Sequence, residues 1–233
     1  MASTPPTNEA FLREVDEELR RDQIEGFWKK WGRWLIGGVF AVLFAWGGWL
    51  WWDNRNTEAA GLEGEQMSQA LDELQNNDMA GAGAKLKTLA GSTRDGYRVS
   101  AKLAQAGALM QKDDPKGAAK IFSSIAADTS VAQPWRDLAL IRQTSAEYDT
   151  LKPTDIIARL KPLAVSGNPW FGSAGEMVAV AYLNSGQPHL AGKLFGDIGK
   201  DEGVPETLRS RAVQMAGVLG VDAVNPAGKE ETK

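Results

Sequence analysis

Small and apolar residues recur along the chain in one figure: Ala82, Leu86, Leu89; Ala118, Phe122, Ile125; Ile156, Leu160, Leu163; and Ala191, Phe195, Ile198. Each triplet has the spacing i, i+4, i+7, which places side chains on one face of an α-helix. Twelve residues before the triplets stand Ala70, Ala106, Thr144 and Ala179, so each unit reads as two helices touching at small positions. The triplets start 36, 38 and 35 residues apart. A period of roughly 34 to 36 residues built from helix pairs is the mark of a solenoid.

Proline keeps the same register. Pro134 and Pro169, each followed by tryptophan, and then Pro205 precede first helices; Pro115, Pro153 and Pro188 lie between first and second helices. A proline at the first helical position is pre-organised and loses no hydrogen bond. The pattern predicts helices over 56–76, 80–90, 95–112, 115–127, 134–149, 153–165, 170–185, 188–199 and 205–219. The last, with Leu208, Ala212, Met215, Ala216 and Leu219 on one face, is placed to close the open end of the stack. No comparable segment alternates with period two, so the expected fold class is all-α.

A different pattern governs the N-terminal part. Trp34 to Trp52, WLIGGVFAVLFAWGGWLWW, is an uncharged run of 19 residues. As a helix it spans roughly 28 Å, about one hydrocarbon core. Trp28, Trp31 and Trp34 at one end and Trp46, Trp49, Trp51 and Trp52 at the other sit where indole rings favour the headgroup boundary. A cleaved leader is disfavoured, since its charged region would reach residue 33 and its apolar stretch is too long. Lys29, Lys30 and Arg33 precede the run, whereas only Arg55 follows closely. This asymmetry predicts a cytoplasmic N-terminus and, in a bacterial inner membrane, a periplasmic C-terminal part. The expected organisation is a tail over 1–33, a transmembrane helix over 34–52, a repeat domain over 53–220 and a disordered tail over 221–233. Phe11, Val15 and Leu19 give the N-terminal tail a narrow apolar stripe, while Gly37, Ala41 and Ala45 form a small-residue face in the span that admits a partner helix.

Composition removes several functions. With no cysteine there is neither thiol catalysis nor a cysteine metal site, and the single histidine, His189, follows a proline at a turn. Gly81-Ala82-Gly83 lacks the preceding strand and following Lys-Ser/Thr of a phosphate loop. The carboxylate pairs Asp113–Asp114 and Asp201–Glu202 fall at turns or helix ends. Lys and Arg total 26 against 30 Asp and Glu, interspersed, which speaks against nucleic acid as a partner. No catalytic residue, cofactor, metal or small-molecule substrate is expected.

Binding remains. The first helix of each unit lines the concave side of such stacks, so Tyr97, Trp135 and Trp170, at the starts of three first helices, are the candidate partner-binding residues; packing between units is the competing role. Ala118 before Phe122, and Ala191 before Phe195 with Tyr182 upstream, are the positions of a degenerate tetratricopeptide repeat, from which Thr144 and Ile156 depart. The segments QIEGFWKKWGR (23–33), YRVSAKLAQA (97–106) and KGAAKI (116–121) carry a further likeness. Through them the chain resembles the bacterial YfgM-like family, ancillary to the SecYEG translocon. The resemblance implies an N-in single-pass protein with a periplasmic tetratricopeptide-like domain, working with the translocon and periplasmic chaperones. Alternatives from other classes are a cell-envelope scaffold for division or peptidoglycan synthesis and, less favoured, an envelope hydrolase.

Overall fold

Helix ends in this chain are set by prolines and by residues that tolerate positive φ. The computed structural model describes residues 7–223, with side chains from residue 28 onward. Among the described residues there are nine helices and no strand: α1 (Thr7–Gln75), α2 (Met79–Leu89), α3 (Asp95–Gln111), α4 (Pro115–Ala126), α5 (Gln133–Ala146), α6 (Pro153–Leu160), α7 (Phe171–Asn184), α8 (Pro188–Lys200) and α9 (Glu206–Val218). The helix expected over 56–76 is the end of α1, which no proline interrupts between Pro6 and Pro115. The chain divides into two units, residues up to Leu62 and residues from Glu63 on.

In the first unit the apolar run of α1 is exposed throughout, with Trp34 at 77%, Phe44 at 78% and Trp52 at 72% of full exposure. No described residue covers it. Beyond its end the Arg55 guanidinium lies 4.4 Å from the centre of the Trp51 ring, a cation–π contact. The stripe of Phe11, Val15 and Leu19 lies outside the described side chains.

The second unit is a stack of helical hairpins. Every member of the four triplets is buried, none more than 8% exposed, and Ala70, Ala106, Thr144 and Ala179 are fully buried. The register read from the spacing is therefore the register of the core. Ala70 of α1 meets Leu86 and Leu89 of α2 and Ala101 of α3, Ala106 meets Ala118 and Phe122, and Ala179 meets Ala191 and Phe195. Thr144, the one polar core residue among those described, donates its hydroxyl to the Leu140 carbonyl at 2.8 Å and so satisfies itself. Helix α9 closes the stack by laying Ala212 and Ala216 on the α7–α8 pair. Arg211 fixes it with a two-pronged bond to Glu176 of α7, both N···O distances 2.7 Å.

Four first helices leave by the same turn. Asn77, Asp113, Gly186 and Gly220 have φ of 65°, 58°, 74° and 76°. The following N–H reaches back five residues: Asp78 to Glu73, Asp114 to Leu109, Gln187 to Tyr182 and Val221 to Ala216, all within 2.8–2.9 Å. This satisfies carbonyls that the helix end would leave bare. Asp78 and Asp114 then cap the next helix through the N–H groups of Gly81 (3.0 Å) and Gly117 (2.8 Å). The third hairpin breaks the rule: residues 147–152 connect α5 to α6. Helix α6, expected to reach 165, ends at Leu160, because Pro162 has no N–H and its ring would meet the carbonyl of Ala158. At the far end the packed chain runs past 220, since Val221 and Ala223 join the α7–α9 cluster; residues 224–233 lie outside the described residues.

Because Ala191 is fully buried where α8 meets α7, a larger side chain must push the pair apart. Ala191→Leu is expected to destabilise the repeat domain by about 1–3 kcal/mol, read as a lower urea midpoint of the helical circular-dichroism signal.

Candidate functional site

The first helices are neighbours on one side of the stack, with α3 touching α5 and α7 touching α9. Between α3 and α5 this side opens into a groove of about 390 Å³, floored by Phe122 of α4 and walled by Leu103, Gly107 and Met110 on one helix and Leu138 and Arg142 on the other. A side chain at Gly107 would meet open space, so the glycine widens the groove. Met110 is 43% exposed there. The groove presents apolar side chains beside one guanidinium, a surface suited to another polypeptide. No single segment announces it, since its walls lie more than twenty residues apart in sequence.

The three aromatic candidates occupy matching places at the starts of α3, α5 and α7, each in its own hairpin. The structure does not bring them together. Tyr97 is half-buried against Ala70, Leu86 and Leu89, and its hydroxyl lies 2.9 Å from where a Cβ on Gly64 of α1 would stand. Trp170 packs on the Ile141, Ile156, Leu160 and Leu163 cluster, and its backbone N–H donates to Asn168 Oδ1 at 2.8 Å. Trp135 differs in being 36% exposed. Gly37, Ala41 and Ala45 are exposed along α1, and a Cβ on Gly37 would touch nothing.

Ionisable groups show no convergent arrangement among the described residues, and no three His, Cys, Asp or Glu are disposed to hold a metal ion. His189 is exposed in the first turn of α8. Where carboxyls are shifted, turn geometry is the cause. The Ser130 hydroxyl (2.6 Å) and N–H (3.0 Å) donate to Asp128 and hold its carboxyl below the usual range. Asp201 is held low in the same way, by the Ser166 hydroxyl at 2.5 Å and the Gly203 N–H at 2.9 Å. This bond clasps the α6–α7 connection to the α8–α9 connection. Burial pushes the Tyr148 phenol up, and its O–H donates to the Met177 carbonyl at 3.2 Å.

Comparison with known proteins places this geometry. A family model described as a tetratricopeptide repeat-like domain matches residues 25–168, more than half of the chain. The match takes in the apolar run together with the helices through α6. No curated protein and no solved structure matches the chain significantly.

The Asp201 clasp has a pH signature. A carboxyl whose folded pKa is lowered stabilises the fold above its unfolded pKa of about 3.9, and that contribution fades as pH falls through the folded value. Asp201→Asn should therefore lower the melting temperature at pH 7, and the gap to the parent should close as the pH is taken below about 4.

Proposed function

The chain belongs to the tetratricopeptide repeat-like domain family, and from that premise we propose that it is a membrane-anchored, non-catalytic adaptor that recruits other proteins through its hairpin stack. The observation that carries this reading is the contrast between the two units. The hairpins bury their own apolar triplets, whereas the 19-residue apolar run stays bare and needs an apolar surrounding that the described chain does not provide. In a bilayer that run satisfies its backbone internally and its flanking indoles meet the headgroups.

The positive cluster Lys29, Lys30, Arg33 orients the N-terminus to the cytoplasm and the hairpins to the periplasm of a bacterial inner membrane. In this reading the domain boundaries are the tail over 1–33, the span over 34–52 and the repeat domain from 53. The likeness of residues 23–33, 97–106 and 116–121 to the YfgM-like family makes the Sec translocon and periplasmic chaperones the partners of choice. Within the bilayer the Gly37, Ala41, Ala45 face docks on a partner helix. Outside it Trp135 and the α3–α5 groove bear the contact.

Two experiments test this. Protease added to spheroplasts should digest the hairpins and leave a fragment containing the span; protection of residues beyond 53 would contradict the topology. A photoreactive phenylalanine at Trp135 should crosslink to translocon or chaperone subunits in cells. Trp135→Ala should shift stability by no more than about 0.5 kcal/mol, as expected for an exposed position, while recovery of those subunits from detergent-solubilised membranes falls.

A further inference from the structure

One lane on the second helices differs in the last hairpin. It is formed by the residues that directly follow the members of each triplet: Gly83, Lys87 and Ala90; Ala119, Ser123 and Ala126; Ile157, Lys161 and Ala164; and, on α8, Gly192, Gly196 and Gly199. Only α8 has glycine at all three places. Glycine weakens a helix, because its backbone has more freedom to lose on folding and brings no side chain to pack. Three glycines on one face of a 13-residue helix make room for a contact that side chains would prevent.

The chain's own C-terminal segment makes that contact. A Cβ on Gly192 would stand 2.9 Å from Val221 Cγ2 and 3.1 Å from Leu219 Cβ, one on Gly196 3.1 Å from Val221 Cγ1, and one on Gly199 3.6 Å from Ala223 Cβ. Leu219, Val221 and Ala223 thus follow the lane along α8 toward its end. Gly192 and Gly196 are buried as a result. The backbone N–H groups of Gly220 and Val221 donate to α9 itself, to the Gly217 and Ala216 carbonyls at 3.0 and 2.9 Å. Ala223 is buried, whereas Leu219 and Val221 are only half-buried. Lifting the segment therefore exchanges the Val221 bond for one to water and uncovers little apolar surface. Gly220, exposed and at φ 76°, is the pivot. After α1, α3 and α7 the same turn is followed by a helix that fixes the chain beyond it, but residues 221–223 are not helical.

We propose that residues 219–223 are a strap that opens and closes on α8 while the hairpins stay folded, giving the C-terminal end of the stack a sealed and an open state. The open state bares the α8 backbone along Gly192 and Gly196, which the closed strap covers. This device goes beyond the adaptor reading and does not depend on it. Its sequence requirement is specific. Exchange of glycine for alanine strengthens most helices, yet at position 192 the new Cβ would meet Val221 and Leu219 closer than unbonded carbons approach, and the strap must lift.

The chain has no cysteine, so a single introduced thiol reports without background. In the full-length chain in detergent, Ala223→Cys places a thiol under the closed strap, and Val178→Cys places one in the α7 core, where the parent side chain is 1% exposed. An aromatic disulfide reagent should modify position 223 at least about tenfold faster than position 178, at a rate that mild urea hardly changes, the signature of local opening. Adding Gly192→Ala should speed modification at 223 by roughly tenfold more and leave 178 as it was. Equal rates that rise together with urea would mean that the segment leaves α8 only when the domain unfolds, and would overturn the proposal. So would a thiol at 223 as reactive as one in a short peptide, which puts the segment off α8 altogether, or a rate at 223 that Gly192→Ala does not alter. Should Gly192→Ala lower the helical circular-dichroism signal of the whole domain, the urea dependence at 223 in its absence decides.

Discussion

Close approach of helix backbones at small residues is the constraint on which the repeat domain depends. Ala106 and Ala179 on first helices meet Ala118 and Ala191 on second helices, and these residues, together with Ala70, Thr144, Ala82 and Ile156 at the matching positions, are all buried to within 1%. With alanine at these points the larger members of each triplet, such as Phe122 and Ile125 or Phe195 and Ile198, can fill the space around the crossing instead of propping it open. Where the constraint is relaxed, the hairpin changes. The third unit has Thr144 and Ile156 at these positions, and its connection lengthens to residues 147–152 and its second helix shortens to Pro153–Leu160. Bulk at the crossing and irregularity in the turn go together.

Most of this was legible in one dimension because it is local. A triplet at i, i+4, i+7 states a helix face, and proline at a helix start states a boundary; all four faces are buried, and most helix ends lie within a residue or two of their expected places. Pro162 was legible too, and its effect on α6 follows from its missing N–H alone. The run from Trp34 to Trp52 reads the same way in sequence and in structure, as apolar surface with no covering from the described chain.

What was not legible depends on residues distant in sequence. Tyr97, Trp135 and Trp170 hold equivalent places, and no local rule separates them; Gly64 leaves room for Tyr97 to pack, whereas Trp135 finds no such pocket. The α3–α5 groove is likewise made by helices brought together through α4. Nor does anything near Val221 announce that it is packed rather than loose. Its partners, Gly192 and Gly196, lie more than twenty residues earlier and earn their meaning only as an absence of side chains.

The turn at Gly220 bears on how long such a stack can be. It has the bonding of the turns after α1, α3 and α7, so α9 ends as a first helix does when a second helix is about to follow, and residues 221–223, which are not helical, follow in its place. A hairpin added or removed between α8 and α9 would need no new junction. It would need only that the final second helix carry two residues without side chains where the closing segment crosses. Such a change of length calls for no new kind of turn, provided the glycine pair lies on the second helix that the closing segment crosses.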